Sequence, residues 1–162
     1  MSFKDQGFGE RWQVMGDPAE NAYRRRNPNA VRTGLDRAKT TKGLTAFERY
    51  EPDFRKEPNH LERVECMGIG QDQTLKIKLD KMYALVQWDG MEETELYVWD
   101  SHKKRDTIGR FEGWFKALAQ YGVYAVFPEG KPYLELHARY FPYGWTKAEA
   151  TEEDEAAGAP SG

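Results

Sequence analysis

The sequence predicts an α/β fold built on a mixed sheet. Two observations predict it: short runs rich in aromatic and β-branched residues alternate with helical stretches, and Gly, Pro and Asn punctuate the joins. The expected order is helix, strand, strand, helix, strand, helix, strand, strand, giving a four- to five-stranded mixed sheet flanked by helices.

Each element has its own justification. In MGDPAENAYRRR, Asp17 is placed to cap a helix, Pro18 suits its first position and Glu20 can reach back as in a capping box. The helix should stop near Arg26, because Asn27-Pro28-Asn29 cannot continue it. Residues 27–46 then read as an irregular basic loop. AFERYEPDF and LERVECMG follow as two strands joined by RKEPNH, a predicted hairpin. QTLKIKLDKMYALVQW is ambiguous, since Leu75, Ile77 and Leu79 alternate like a strand while Leu75, Leu79, Met82 and Val86 form a helical stripe. Its length and straight-chain residues favour a helix ending at Asp89-Gly90. ELYVWDS reads as a strand, IGRFEGWFKALAQYG holds a helix closed by Gly122, and VYAVF and PYLELHA supply the last strands.

With 162 residues the chain has the length of one domain, taken as 1–146, and 39% hydrophobic residues suffice for a core. Residues 147–162 carry Glu149, Glu152, Glu153, Asp154 and Glu155 without apolar periodicity, so they read as an acidic disordered tail. No run approaches about 18 apolar residues and the N-terminus lacks the apolar core of a signal peptide, which points to an intracellular protein without a membrane segment. The single Cys66 excludes an intrachain disulfide and a cysteine-based zinc site.

A net charge of -3 hides a basic stretch: from Asn21 to Lys56 ten Lys and Arg face four Asp and Glu. Such a stretch suits a polyanion, nucleic acid above all, and a solvated loop equally. Arg24, Arg25, Arg26, Arg32, Arg37, Lys39 and Lys42 are the candidates for phosphate contacts. The run of three arginines also fits the C-terminal end of a helix, where the dipole favours cations.

Two carboxylates, Asp53 and Glu65, lie twelve residues apart in the predicted hairpin, where antiparallel pairing could bring them together, and Glu20 on the preceding helix could join them. Clustered carboxylates are what a hard Mg²⁺ ion requires. The plainer alternatives are that Asp53 starts the turn after Pro52 and that Glu20 only caps its helix. The three histidines, His60, His102 and His137, show no ligand spacing, and Gly68-Ile69-Gly70 lacks the Lys-Ser/Thr of a phosphate loop. Serine is too scarce for a serine-based triad.

Together Glu20, Pro52-Asp53 and Glu65-Cys66-Met67 resemble the PD-(D/E)XK nuclease superfamily. The similarity runs to small phage junction-resolving endonucleases through Tyr50-Glu51-Pro52-Asp53-Phe54, Val64-Glu65-Cys66-Met67-Gly68 and a following segment with Lys76, Lys78 and Lys81. The resemblance implies a restriction-endonuclease-like core and metal-dependent hydrolysis of DNA phosphodiesters, in branched or junction DNA. It implies Asp53, Glu65 and the backbone carbonyl of Cys66 as ligands of Mg²⁺, with Mn²⁺ as substitute, and Glu20 acting through water or a second ion. The expected partner is DNA; a homodimer and a basic protein docked on the acidic tail are further candidates. The expected location is cytoplasmic, in a host cell if the chain is of phage origin.

Met67 stands where the family carries Lys, and a thioether cannot donate a hydrogen bond. Lys76 or Lys78 could supply the amine from the next segment, the metal could suffice alone, or the chain could be an inactive nuclease-fold DNA-binding or interaction module. In a helix Lys76 and Lys78 would lie about 200° apart, so at most one could face the site. Cys66, adjacent to Glu65 on a strand, should face the core on the other side.

Overall fold

The computed structural model describes residues 17–34, 44–58 and 60–147. In chain order the elements are α1 (Asp17–Arg26), β1 (Val31–Arg32), α2 (Ala46–Arg49), β2 (Phe54–Arg55), β3 (Arg63–Ile69), β4 (Thr74–Lys78), α3 (Leu79–Met91), β5 (Thr94–Asp100), β6 (Arg105–Arg110), α4 (Phe111–Tyr121), β7 (Val123–Val126), β8 (Pro132–His137), a 3₁₀ turn (Ala138–Tyr140) and β9 (Thr146–Lys147). The mixed α/β architecture expected from the sequence is present, but it has two sheets. A six-stranded sheet runs β1-β2-β3-β5-β6-β9 and a three-stranded antiparallel sheet runs β4-β8-β7. Among the described residues only β3 and β5 are parallel neighbours in the large sheet, with Glu65 beside Leu96 and Met67 beside Val98. Their crossover carries β4 and α3, as a parallel connection requires.

Period-2 alternation on β3 and β5 divides the core. Val64 and Cys66 join Tyr97 and Trp99 on one face, where Ala19, Ala22 and Tyr23 of α1 cover them. Ile69, Leu96 and Val98 face the other way into a larger cluster with Leu75, Ile77, Leu85, Phe111, Trp114 and Leu136. Cys66 is therefore a packing residue of the α1 layer, as the strand pattern predicts.

Three segments depart from expectation. The single helix expected over QTLKIKLDKMYALVQW is β4 followed by α3. Strand alternation wins over 74–78 because Leu75 and Ile77 are fully buried while Lys76 faces solvent, and β8 pairs along the whole strand. AFERYEPDF is mostly not a strand: Ala46–Arg49 is a helical turn capped by Thr45, whose side chain and that of Glu48 form a reciprocal capping box. Only Phe54–Arg55 pairs with β3, Phe54 opposite Val64, so the hairpin is short. The basic loop contains β1, paired to β2 by Val31 opposite Arg55. Strands β6 and β9 were not expected, since RDTIGR lacks an apolar run and β9 has two residues.

No helix among the described residues is long and apolar enough to cross a membrane. The acidic tail from residue 148 onward lies outside the described residues.

Candidate metal and nucleic-acid site

The short β2 leaves the β3 edge open just beyond Val64, and Asp53 fills that edge. Its Oδ2 accepts from the Cys66 backbone N–H at 2.9 Å, and its own backbone N–H donates to Glu65 Oε1 at 3.2 Å. The two carboxylates are thus interlocked through the strand edge, and both residues are buried. Since the N–H and C=O of one strand residue point to the same edge, the Cys66 carbonyl shares the Asp53 side.

Glu65 projects on the face away from α1, where α3 meets it. Lys81, in the first turn of α3, donates from Nζ to Glu65 Oε2 at 2.6 Å. Side-chain exposures of 9% and 2% put this ion pair out of water, where truncating one partner leaves a costly lone charge. The Lys81 ammonium also lies 5.9 Å from the Tyr50 ring centroid.

Glu20 approaches from the α1 side. Arg32 of β1 donates from Nη1 to Glu20 Oε2 at 2.6 Å, while β1 itself is zipped to β2, so Arg32 ties the helix carboxylate to the strand that follows Asp53. Next to it, the backbone N–H groups of Thr33 and Gly34 donate to the Asp53 carbonyl at 2.9 and 3.2 Å. A side chain at Gly34 would be tight, because a Cβ would lie 3.0 Å from Asp53 Cα and 3.2 Å from the carbonyl oxygens of Glu51 and Pro52.

The buried Cys66 thiol reports how these charges surround one point. Burial pushes its pKa well above the usual thiol value, Asp53, Glu65 and Glu20 push the same way, and Lys81 opposes them. The three acids are therefore within electrostatic reach of Cys66, but Glu20 lies on the α1 side and Glu65 on the opposite face of the sheet.

The other expected residues are distributed differently. Lys76 lies on the outer face of β4 and pairs with Asp72 at 3.3 Å, and Lys78, two residues on, sits over the Phe127 ring at 5.9 Å. Neither shares the face from which Lys81 reaches Glu65. Of the arginines, Arg26 is tied to Asp106 of β6 and to the Lys147 carbonyl, Arg32 is tied to Glu20, and Arg24 lies 5.3 Å from the Phe54 ring. Arg24 and Arg25 are exposed. Arg37, Lys39 and Lys42 fall outside the described residues. Met67 packs against the larger core cluster on the face it shares with Glu65, so the position of the missing amine is apolar.

Lys81 had a signal in the sequence: with Leu85 and Trp88 it occupies i, i+4 and i+7 of one helical stripe, an isolated cation in an apolar row. Gly34 had none.

Among the described residues no group of three His, Cys, Asp or Glu side chains is gathered to hold a metal ion. The donor chemistry nevertheless suits Mg²⁺, which takes one or two carboxylates and keeps waters or phosphate oxygens for the rest. Asp53 and Glu65, with the Cys66 carbonyl, are hard oxygen donors of that kind. In comparisons with known proteins, no family model, curated protein or solved structure matches the chain.

Proposed function

We propose that the chain is a metal-dependent DNA endonuclease whose β2-β3-α3-β5 unit is a restriction-endonuclease-like core. The observation that carries this reading is the Glu65 carboxylate, shared between the Asp53 N–H and the buried Lys81 ammonium. It brings a pair of acids on β2-β3 together with an amine from α3, with Lys81 in the role that Met67 cannot fill.

In this reading Asp53, Glu65 and the Cys66 carbonyl would hold Mg²⁺ or Mn²⁺, which would supply a Lewis acid for water and phosphate. Lys81 stabilises the extra negative charge on the phosphate with a fixed cation in a dry setting, where such a charge acts most strongly. Glu20, held by Arg32 on the α1 side, would act through water or a second ion. Arg24 and Arg25 neutralise backbone phosphates, which carries no sequence preference and suits recognition by shape.

Incubation of supercoiled plasmid and four-way-junction DNA with Mg²⁺ or Mn²⁺ tests this. Wild type should nick or resolve the substrate, and Asp53→Ala should be inactive. Equal residual cutting by both proteins, or none by wild type, rejects the enzyme. Salt-dependent DNA binding that survives without cutting would instead identify an inactive nuclease-fold module, the reading that Met67 favours.

A further inference from the structure

We infer that the outer edge of β7 pairs with β7 of a second copy of this chain, joining the small sheets of two chains across a twofold axis at Ala125. The inference is independent of the metal and DNA reading above.

Strand β7 ends the small sheet, with β8 on one side only. The Phe127 N–H donates to the Lys131 carbonyl at 2.9 Å, so Phe127 and, by antiparallel alternation, Ala125 and Val123 turn their N–H and C=O toward β8. Tyr124 and Val126 turn theirs to the free edge. Pro132, the partner of Val126, has no N–H, as suits a pair that exchanges no hydrogen bonds.

The other strand edges among the described residues are guarded. Strands β1 and β9 have two residues each and carry Arg32 and Lys147, while β4 carries Lys76 and Lys78. Shortness and edge cations are what keep strand edges from pairing. By contrast, Tyr121 to Phe127 contains no charged residue, and Val123, Tyr124 and Val126 are 61%, 63% and 51% exposed.

A second copy fits this edge because the strand is complementary to itself. With Ala125 opposite the partner's Ala125, Tyr124 and Val126 exchange backbone hydrogen bonds with the partner's Val126 and Tyr124, which satisfies the outward donors and acceptors of both copies. Tyr124 then lies beside the partner's Val126 on one face, and Val123 beside the partner's Phe127 on the other. Aromatic and β-branched residues are favourable cross-strand pairs. The two Ala125 methyls suit the close spacing of a pair that exchanges no hydrogen bonds, and the neutral strand meets itself without like charges. Such a contact uses the same patch on both copies and closes at two.

The test is sedimentation velocity of the full-length chain over about 1 to 100 µM, the range of a modest homodimer. Wild type should reach the mass of two chains and no more. Val126→Pro removes an outward N–H without touching the β8 pairing, and Ala125→Lys or Ala125→Glu sets like charges across the axis. Each, checked for folding by circular dichroism, should raise the dissociation constant by about 5- to 100-fold. Mixing the Lys and Glu variants should restore the dimer, because opposite charges then meet. Tyr83→Ser, which trims a side chain 58% exposed on α3, should change nothing. A wild type that stays monomeric, leaving the edge to another protein's strand or to none, overturns the inference, and so does assembly past two chains. Dimerisation that is insensitive to the β7 variants, or that Tyr83→Ser abolishes, places the contact elsewhere and overturns it as well. Failure of the mixed variants to pair overturns the Ala125 register. The wild-type arm needs no variant to fold.

Discussion

Asp100 and Glu65 are both buried carboxylates on neighbouring strands, yet their hydrogen bonds are organised in opposite ways. Asp100, at the end of β5, is fully buried and is answered mostly from its own turn. Its Oδ1 accepts from the backbone N–H groups of His102 and Lys103 at 3.0 Å and from Gln73 Nε2 at 3.1 Å, and its Oδ2 accepts from Arg105 Nε at 2.8 Å. Arg105 Nη2 closes the ring on Gln73 Oε1 at 2.8 Å and stacks on Trp145. Both Gln73 and Lys104 have left-handed backbones, with φ of 57° and 52°, so this network fixes two turns that would otherwise be disfavoured. Glu65 instead draws its donors from Asp53, twelve residues earlier, and from Lys81, sixteen later on another element. Asp100 is tied chiefly to the turn and hairpin that it closes, whereas Glu65 links three separate elements, β3, the segment before β2 and α3. The two sites therefore respond differently to substitution.

Lys81→Met breaks the comparison on the functional side and has the largest expected effect. Cleavage should fall by about 10²- to 10⁴-fold, the scale of a lost catalytic group. Stability should fall by about 3 kcal/mol, because Glu65 keeps its charge in a buried position. The measurements are single-turnover cleavage and urea unfolding. A variant as active as wild type would remove Lys81 from the chemistry.

Asp100→Asn probes the structural side. It loses a charge-assisted network and should cost about 1–3 kcal/mol, with cleavage per folded molecule unchanged. Burial alone would raise the Asp100 pKa, but the bonds from Arg105, Lys103, Gln73 and His102 outweigh it and hold the carboxyl below its ordinary value. A depressed folded-state pKa gives stability that is present above the unfolded value, about 4, and is lost as the pH falls through the lower folded value. Wild type should thus lose stability below about pH 4, and the Asn variant should lack that part of the slope. Identical acid profiles for the two proteins would show that Asp100 does not carry it.

How far the sequence anticipates these sites follows from which forces are local. Strands β3 and β5 are legible because their apolar alternation is set by the residues themselves, and α1 because Pro18 and Asn27-Pro28 mark its ends. Strand β6 is not legible: its charges are there to meet partners from elsewhere, Asp106 accepting from Arg26 and, at 2.8 Å, from the Tyr97 hydroxyl. Asp53 and Glu65 stand out as acids in a hairpin, whereas the amine depends on where β4 ends and α3 begins. One residue of difference there decides which lysine faces inward, and the pairing with β8 fixes it, a long-range contact that composition cannot reveal. The capping box at Thr45–Glu48 was a local signal for a helix that the surrounding aromatics outweighed.

Gly34→Ala sharpens the comparison at smaller scale. The added Cβ presses on the backbone of Glu51, Pro52 and Asp53, so these atoms must give by a few tenths of an ångström. The stability cost should be about 1 kcal/mol, at the low end for overpacking. Cleavage should fall more than stability does, because Asp53 moves relative to Glu65, whereas the Asp100 turn is untouched. A drop in melting temperature with full activity would show that the edge tolerates the shift.

The smallest effects should come from Lys76→Ala and Lys78→Ala, and they discriminate between two sources of the amine. Both side chains project from the outer face of β4, and Lys76 is 43% exposed beside Asp72. An exposed pair of that kind is worth at most about 1 kcal/mol, and often nothing measurable. Each variant should keep its stability to within about 0.5 kcal/mol. If Lys81 supplies the amine, each should also cleave at close to the wild-type rate, with at most a weaker salt dependence where a lysine contacts phosphate. A loss of cleavage in either variant comparable to that of Lys81→Met would move the functional amine to β4. The buried Lys81–Glu65 pair would then be structural, of the same kind as Asp100–Arg105, and the distinction between the two carboxylates would fail.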